Sequence, residues 1–330
     1  MHAFGLALRK GAEYTEAMIR LEAVAAVLGL ALSSSCASTR EAPAPEEVFV
    51  LGSMQTLATE LGFTEGPVWV AREDRLIFSD IPAAKLMCWT EEGGVTVFRE
   101  SPNPNGNLLD NEGRLLTCRH SARDVARTEP DGSITVLATG WRSKRFNSPN
   151  DLAVDDSGMI WFTDPPWGLP DQREGREIDV NGVYRLDPGT GEVAQVSVLH
   201  AMPNGIALSP LEDSLYVTDT GGHPSHPDEA MRGSEGSVTC YAVGDDGALA
   251  VRWQAPVISD GIAVDEFGRV YTTTGQGVVV LDPADGAVIQ TLEFPEQPAN
   301  CCFGGEDGRT LFVTARTGLY SVRTGAAGAH

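Results

Sequence analysis

From Val48 onward the chain alternates short apolar runs with clusters of Gly, Asp, Asn and Pro, and no long helical periodicity follows the first forty residues. Short apolar runs bounded by turn formers read as β-strands. The strands follow a repeating plan. A polar residue leads into an apolar strand, then an acidic or Gly-containing turn, then a second apolar strand. The phrase occurs six times: Glu65-GPVWVAREDRLIFSD, Asn105-GNLLDNEGRLLTC, Asn150-DLAVDDSGMIWFTD, Asn204-GIALSPLEDSLYVTD, Asp260-GIAVDEFGRVYTTT and Asn300-CCFGGEDGRTLFVTA. Its leading residues are 40, 45, 54, 56 and 40 positions apart. Between copies lie pairs of alternating strands around DG, GG or GTG turns, which are hairpin signals. Two such units per repeat make a four-stranded propeller blade. The sixth copy is followed only by GLYSVRT, one strand short. Residues 48–61 can supply that outermost strand, which ties the chain ends together and leaves no free edge. The pattern predicts an all-β fold: a six-bladed β-propeller over residues 48–325, closed by an N-terminal strand in the last blade, with 326–330 as a tail.

Composition agrees. The 330 residues include 36 Gly and 20 Pro, as many turns require. The formal net charge of −22 argues against a nucleic-acid partner, because such proteins carry basic patches. The first forty residues differ from the rest. Leu21 to Leu32 is apolar except for Glu22, follows Arg20, and ends in Ser33-Ser34-Ser35-Cys36-Ala37-Ser38. This stretch is too short to span a bilayer stably and has the length of a signal-peptide core. Residues 1–37 are therefore expected to be a targeting segment, with a lipid anchor at Cys36 or cleavage after Ala37 as the alternatives. Residues 38–47, rich in Ala, Pro and Glu, read as a linker. The expected location is exported, periplasmic or lipid-anchored, with the cytoplasm as the alternative. Five cysteines remain, at 88, 118, 240, 301 and 302. Their odd number and irregular spacing suit buried small hydrophobes better than a disulfide framework, and no spacing suggests a structural zinc site.

The six leading residues carry the candidate chemistry. In a propeller the innermost strand of each blade lines the central channel. Glu65, Asn105, Asn150, Asn204, Asp260 and Asn300 occupy equivalent positions and should face one end of it. Each has a side-chain oxygen. Carboxylates converging in a narrow channel repel one another, and a cation relieves that repulsion. Carboxylate and amide oxygens without Cys or His suit Ca²⁺ or Mg²⁺ rather than Zn²⁺. A single Asn-Gly or Asp-Gly would be read as a turn; six acidic or amide residues in register are harder to explain that way.

Several phrases together make the sequence resemble a known family. Phe63-Thr-Glu65-Gly-Pro-Val-Trp69, Arg145-Phe-Asn-Ser-Pro-Asn150-Asp151, Trp161-Phe-Thr-Asp164-Pro-Pro-Trp167-Gly168, Pro203-Asn204-Gly205-Ile206-Ala207, Ser259-Asp260-Gly261 and Asn300-Cys-Cys-Phe-Gly-Gly305 look like the gluconolactonase / regucalcin (senescence marker protein) / luciferin-regenerating enzyme family, in its bacterial gluconolactonase branch. The likeness covers about residues 50 to 322. It implies a metal held by Glu65, Asn150, Asn204 and Asp260, with Ca²⁺ first and Mg²⁺, Zn²⁺ or Mn²⁺ as alternatives. On this pattern Asn105 and Asn300 line the channel or hold water. It places Arg145, Asn147, Asn150, Asp164 and His120 toward the substrate, a small-molecule lactone. One departure is Cys118-Arg119-His120, where relatives usually have an acidic residue before the His; it bears on the charge of the pocket and so on the substrate.

The resemblance implies a lactone (carboxylic ester) hydrolase. The metal would polarise the carbonyl while Asp260 acts as general base toward water, or as nucleophile. Plainer roles stand beside these. His120 is equally a packed inner-strand histidine, Arg145 a solvated member of a basic loop with Arg142 and Lys144, and Trp69, Trp161, Phe162 and Tyr271 core residues. The alternatives are a same-fold esterase or phosphotriesterase and a non-catalytic metal-binding propeller.

Overall fold

The computed structural model describes residues 47–222, 229 and 232–329. The expected targeting segment 1–37, Cys36, and the linker up to residue 46 lie outside the described residues. Residues 44–330 form one compact unit. It consists of six four-stranded antiparallel sheets, the blades of a propeller. Their inner strands are β2 (Thr64–Val70), β6 (Pro104–Leu109), β12 (Leu152–Val154), β16 (Pro203–Leu208), β20 (Ile262–Val264) and β24 (Pro298–Gly304). The predicted closure is observed. Strand β1 (Gln55–Ala58) pairs with β26 (Gly318–Arg323) as the outermost strand of the last blade, with Gln55 opposite Ser321. Residues 326–329 are packed rather than loose. Gly325 N–H donates to the Val48 carbonyl at 3.1 Å and Ala329 N–H to that of Val264 at 2.9 Å. A two-stranded hairpin, β10 (Gly140–Trp141) with β11 (Lys144–Arg145), was not foreseen.

Apolar side chains fill the space between blades. Trp161, Phe162 and Tyr271 are fully buried, and Trp69 stacks on Phe312 at 5.2 Å, so all four belong to the packing. All five described cysteines are free; four are buried and Cys302 is partly so. One polar device recurs. At the end of the second strand of three blades stand Asp80, Asp164 and Asp219. Asp80 accepts the N–H groups of Gly62 and Phe63, Asp164 those of Asn147 and Ser148, and Asp219 those of Ala201 and Met202. Each aspartate pins the loop that leads into its own blade's inner strand.

The axis itself is tightly packed. Hydroxyls of the second strands reach across to the next blade: Ser79 donates to the Asn105 carbonyl at 2.6 Å, Thr163 to that of Asn204 at 2.6 Å, and Thr273 to that of Ala299 at 2.7 Å. The inner strands also bond directly, through Gly106 N–H to Asn150 and Gly205 N–H to Asp260. Glycine makes this approach possible. A Cβ on Gly66, whose φ is +46°, would lie 2.1 Å from the Asn105 carbonyl oxygen; one on Gly106 would lie 2.4 Å from Asp151 Oδ1. The Asn105-Gly106 and Asn204-Gly205 pairs are thus inner-strand positions and Asp260-Gly261 stands just before its inner strand, all where neighbouring blades touch.

Gly66→Ala should therefore destabilise the fold by about 2 kcal/mol or more, from the left-handed backbone and the backbone clash together. Gly52→Ala also has positive φ but open space around it, and should cost about 1 kcal/mol. Urea midpoints of the two variants check this; equal losses would contradict the axial-packing account.

Candidate functional site

The inner strands and the residues just before them bring the leading residues to one end of the channel: Glu65, Asn105, Asn150, Asn204 and Asn300 are buried, and Asp260 is partly buried. Asp151, which the repeat did not single out, joins them. Burial raises the Glu65 carboxyl well above the ordinary carboxylate range, and the charges of Asp260 and Asp151 add to the effect. Asp260 is pushed up to about 7, first by burial and then by Asp151; a hydrogen bond from the Asn204 side chain and the charge of Arg316 oppose this. Asp151 is raised to about 6 by burial. Its carboxyl accepts the Leu152 N–H at 3.0 Å and Asn300 Nδ2 at 3.3 Å. Asn300 also hydrogen-bonds Glu65, while its Oδ1 accepts the Cys301 N–H at 2.8 Å. Asn150 is held through its backbone, the N–H on the Thr163 carbonyl and the carbonyl accepting from Gly106.

Among the described residues no group of three His, Cys, Asp or Glu side chains is close enough to hold an ion by itself. The three acids feel one another's charge without forming a carboxylate cluster, so a cation here must also draw on the amides. One amide oxygen of the ring is conspicuously unengaged: Asn105 Oδ1 is buried and has no hydrogen-bond partner, like Asn147 Oδ1 away from the ring. The donor set is all oxygen, and it combines uncompensated buried acid with an unpartnered oxygen. These residues fit a hard divalent cation. Beneath the ring, the channel holds a cavity of 250 Å³ lined by Val68, Leu108, Leu152, Ile206, Ile262 and Cys302. Asp151 and Asn300 border it; Glu65, Asn150, Asn204 and Asp260 do not.

The residues expected to face substrate are placed unequally. His120 does meet the ring, its Nε2 lying 3.0 Å from Asn105 Nδ2. Burial pushes the imidazole down to about 4, so it is neutral near pH 7. Gly168 of the loop after strand β13 (Ile160–Asp164) lies over it, and a Cβ there would come 2.5 Å from His120 Cβ. Asn147 and Asp164 are brought together, but as wall. Asn147 is fully buried, its Nδ2 bonding the Val180 carbonyl at 3.0 Å and Asn181 Oδ1 at 3.3 Å. Asp164, raised to about 7 by burial, is the loop clamp described above. Arg145 is exposed on the β10–β11 hairpin, its Nη2 on the Ala122 carbonyl at 2.8 Å. The departure at Arg119 is locally neutralised: its Nε and Nη2 bond Asp124 at 2.7 and 2.6 Å.

Two neighbours of the site were missed in the sequence. Asp151 breaks the rule that a small residue follows the leading one; Asn-Asp instead of Asn-Gly was the available signal. Arg316, whose guanidinium lies 5.8 Å over the Phe63 ring and donates to Gln297 at 2.7 Å, stands in a turn with no local signature.

Fold and site together define a six-bladed propeller with an acid-and-amide ring at one end of its axis. Residues 63–317 match the model of the SMP-30/gluconolactonase/LRE-like region, and the chain belongs to that family. A gluconolactonase of Zymomonas mobilis is 31% identical over 302 residues, covering 82% of this chain and 81% of that protein. The solved structure of a gluconolactonase from Xanthomonas campestris superposes with a TM-score of 0.72 at 33% identity, covering 82% of this chain and 89% of the other. A regucalcin from Agrobacterium tumefaciens, described as a calcium-binding protein, shares the fold with a TM-score of 0.67 at 19% identity, covering 86% and 97%.

The raised carboxyl groups predict an unusual pH dependence of stability. A carboxyl whose folded pKa exceeds its unfolded value favours the fold while protonated, and that contribution is lost as pH rises through the folded pKa. Glu65, Asp151, Asp164 and Asp260 all act in this sense, Asp164 and Asp260 up to about 7. His120, lowered by burial, acts oppositely but chiefly below its ordinary value of 6.5. In protein stripped of divalent ions with a chelator, urea midpoints should fall between pH 6.5 and pH 8. A flat or rising profile over that range would contradict the assigned charge burial.

Proposed function

We propose that this protein is a divalent-cation-dependent hydrolase of sugar lactones, with the cation on the propeller axis. The observation that carries the reading is the meeting of two acids with raised carboxyls, buried Glu65 and partly buried Asp260, in one ring with Asn150 and Asn204, beside a third acid, Asp151. Removing converging carboxylates from water is unfavourable unless a positive charge meets them. Family membership and the gluconolactonases among its relatives support the substrate class. Oxygen-only donors favour Ca²⁺, then Mg²⁺.

Glu65, Asn150, Asn204 and Asp260 would hold the cation. Bound there, it would supply Lewis acidity, drawing charge from the lactone carbonyl oxygen. The remaining work falls to the chain. Asp260 is oriented by the Asn204 side chain, and beside a held cation its carboxyl would stay ionised at neutral pH, as a general base must be. It takes a proton from water as the water oxygen bonds to the carbonyl carbon. The ring C–O bond then breaks, and the leaving alkoxide recovers a proton, giving the open hydroxy acid. Arg316 lies close enough to oppose the charge of the neighbouring acids, and the 139–150 and 165–181 loops form the wall beside His120.

Asp260→Asn should keep the fold, judged by circular dichroism, yet lower aldonolactone turnover at least about 10²-fold. Near-normal turnover would remove Asp260 from this role. Exhaustive dialysis against a chelator should likewise abolish activity, and added Ca²⁺ should restore it; full activity in the dialysed protein would refute cation dependence.

A further inference from the structure

The six leading residues look equivalent in sequence, and the resemblance assigns only four of them to the cation. The structure separates the remaining two. Asn300 is fully engaged, Nδ2 on Asp151 and Oδ1 on the Cys301 N–H. Asn105 is not. Its side chain is 97% buried by its 3% exposure, its Nδ2 faces His120 Nε2 at 3.0 Å, and its Oδ1 has no partner. A buried acceptor left without a partner is unfavourable, because it loses its bond to water and gains none. The backbone gives Asn105 no freedom to avoid this. Its carbonyl accepts from Ser79 Oγ at 2.6 Å and Asn107 Nδ2 at 2.9 Å, and Gly66 packs against that same oxygen. His120 cannot swing away either, because Gly168 and the 165–168 loop close over it. The amide is therefore turned with its nitrogen to the imidazole and its oxygen left over.

We propose that Asn105 Oδ1 is a fifth protein oxygen for the axial cation, supplied from the second blade, and that His120 is the positioning residue that turns the amide so that oxygen, not nitrogen, is presented. The inference rests on the cation reading above. It assigns a role to a residue outside the set the resemblance implies, and it moves His120 from the substrate to the support of the ring. Five oxygens from blades one to five, with Asn300 engaged on the sixth, leave the remaining coordination positions for water or a substrate oxygen.

The test is Ca²⁺ binding to metal-free protein by titration calorimetry, with melting temperatures recorded separately in chelator. Asn105→Ala should raise the Kd at least about 10-fold, and Asn105→Asp, which keeps an oxygen and adds charge, should bind at least as tightly as the parent. His120→Ala should raise the Kd about 10-fold or more, as loss of a ligand's hydrogen-bonding partner does elsewhere. A purely structural histidine would lower the metal-free melting temperature and leave the Kd unchanged; that result would overturn the positioning role. A Kd for Asn105→Ala within twofold of the parent would overturn the ligand assignment, even if the parent binds Ca²⁺ well. If the parent binds no divalent ion, the cation reading itself fails and this inference with it. Should Asn105→Ala fail to fold, the Asn105→Asp and His120→Ala titrations still decide: Asn105→Asp binding weaker than the parent, or an unchanged Kd in His120→Ala, counts against.

Discussion

Three acids share the buried axis of this propeller. Glu65 and Asp151 sit out of water and Asp260 is partly buried; each has its carboxyl raised by desolvation, and Glu65 and Asp260 are raised further by neighbouring acids. Hydrogen bonds relieve this only in part: Asn204 reaches Asp260, Asn300 reaches Asp151 and Glu65, and Gly66 N–H reaches Glu65 Oε2 at 3.0 Å. Arg316 lowers the strain on Asp260 from the rim. A fold that keeps acids there has to hold them against their own repulsion, and much of the architecture near the axis does that.

The means are repetitive because the fold is. Asp80, Asp164 and Asp219 clamp the loops entering their blades, and hydroxyls on several second strands tie one blade's inner strand to the next. Glycines beside the leading residues let the inner strands close to within direct hydrogen bonding. A ring built this way is stiff. Its oxygens are fixed before any ligand arrives, which is what selective recognition of a cation and orientation of a substrate carbonyl both require.

Much of this was legible in the sequence, and the reason is the repeat. Six copies of one phrase, with hairpin turns between them, left a single closed architecture, and the missing strand after GLYSVRT pointed to the N-terminus, where β1 is found. The leading residues could be named because a register repeated six times fixes which side chain faces the axis. The failures have the same origin. Asp151 follows a leading residue where four other blades have glycine, and a pattern read for its regularity passes over its exception. Asp164 was expected to face the substrate; it is fully buried, and its equivalents at Asp80 and Asp219 show a carboxyl serving the backbone. The orientation of Asn105, set by a histidine and a glycine from different loops, depends on contacts no spacing encodes.

The central claim is that the axis carries one divalent cation. Crystals grown from metal-free protein and soaked in Ca²⁺, with anomalous scattering recorded, test it most directly. The account predicts a single strong anomalous peak on the axis, about 2.3–2.6 Å from oxygens of Glu65 and Asp260. No axial peak at saturating Ca²⁺, or peaks confined to the acidic outer surface, would contradict it.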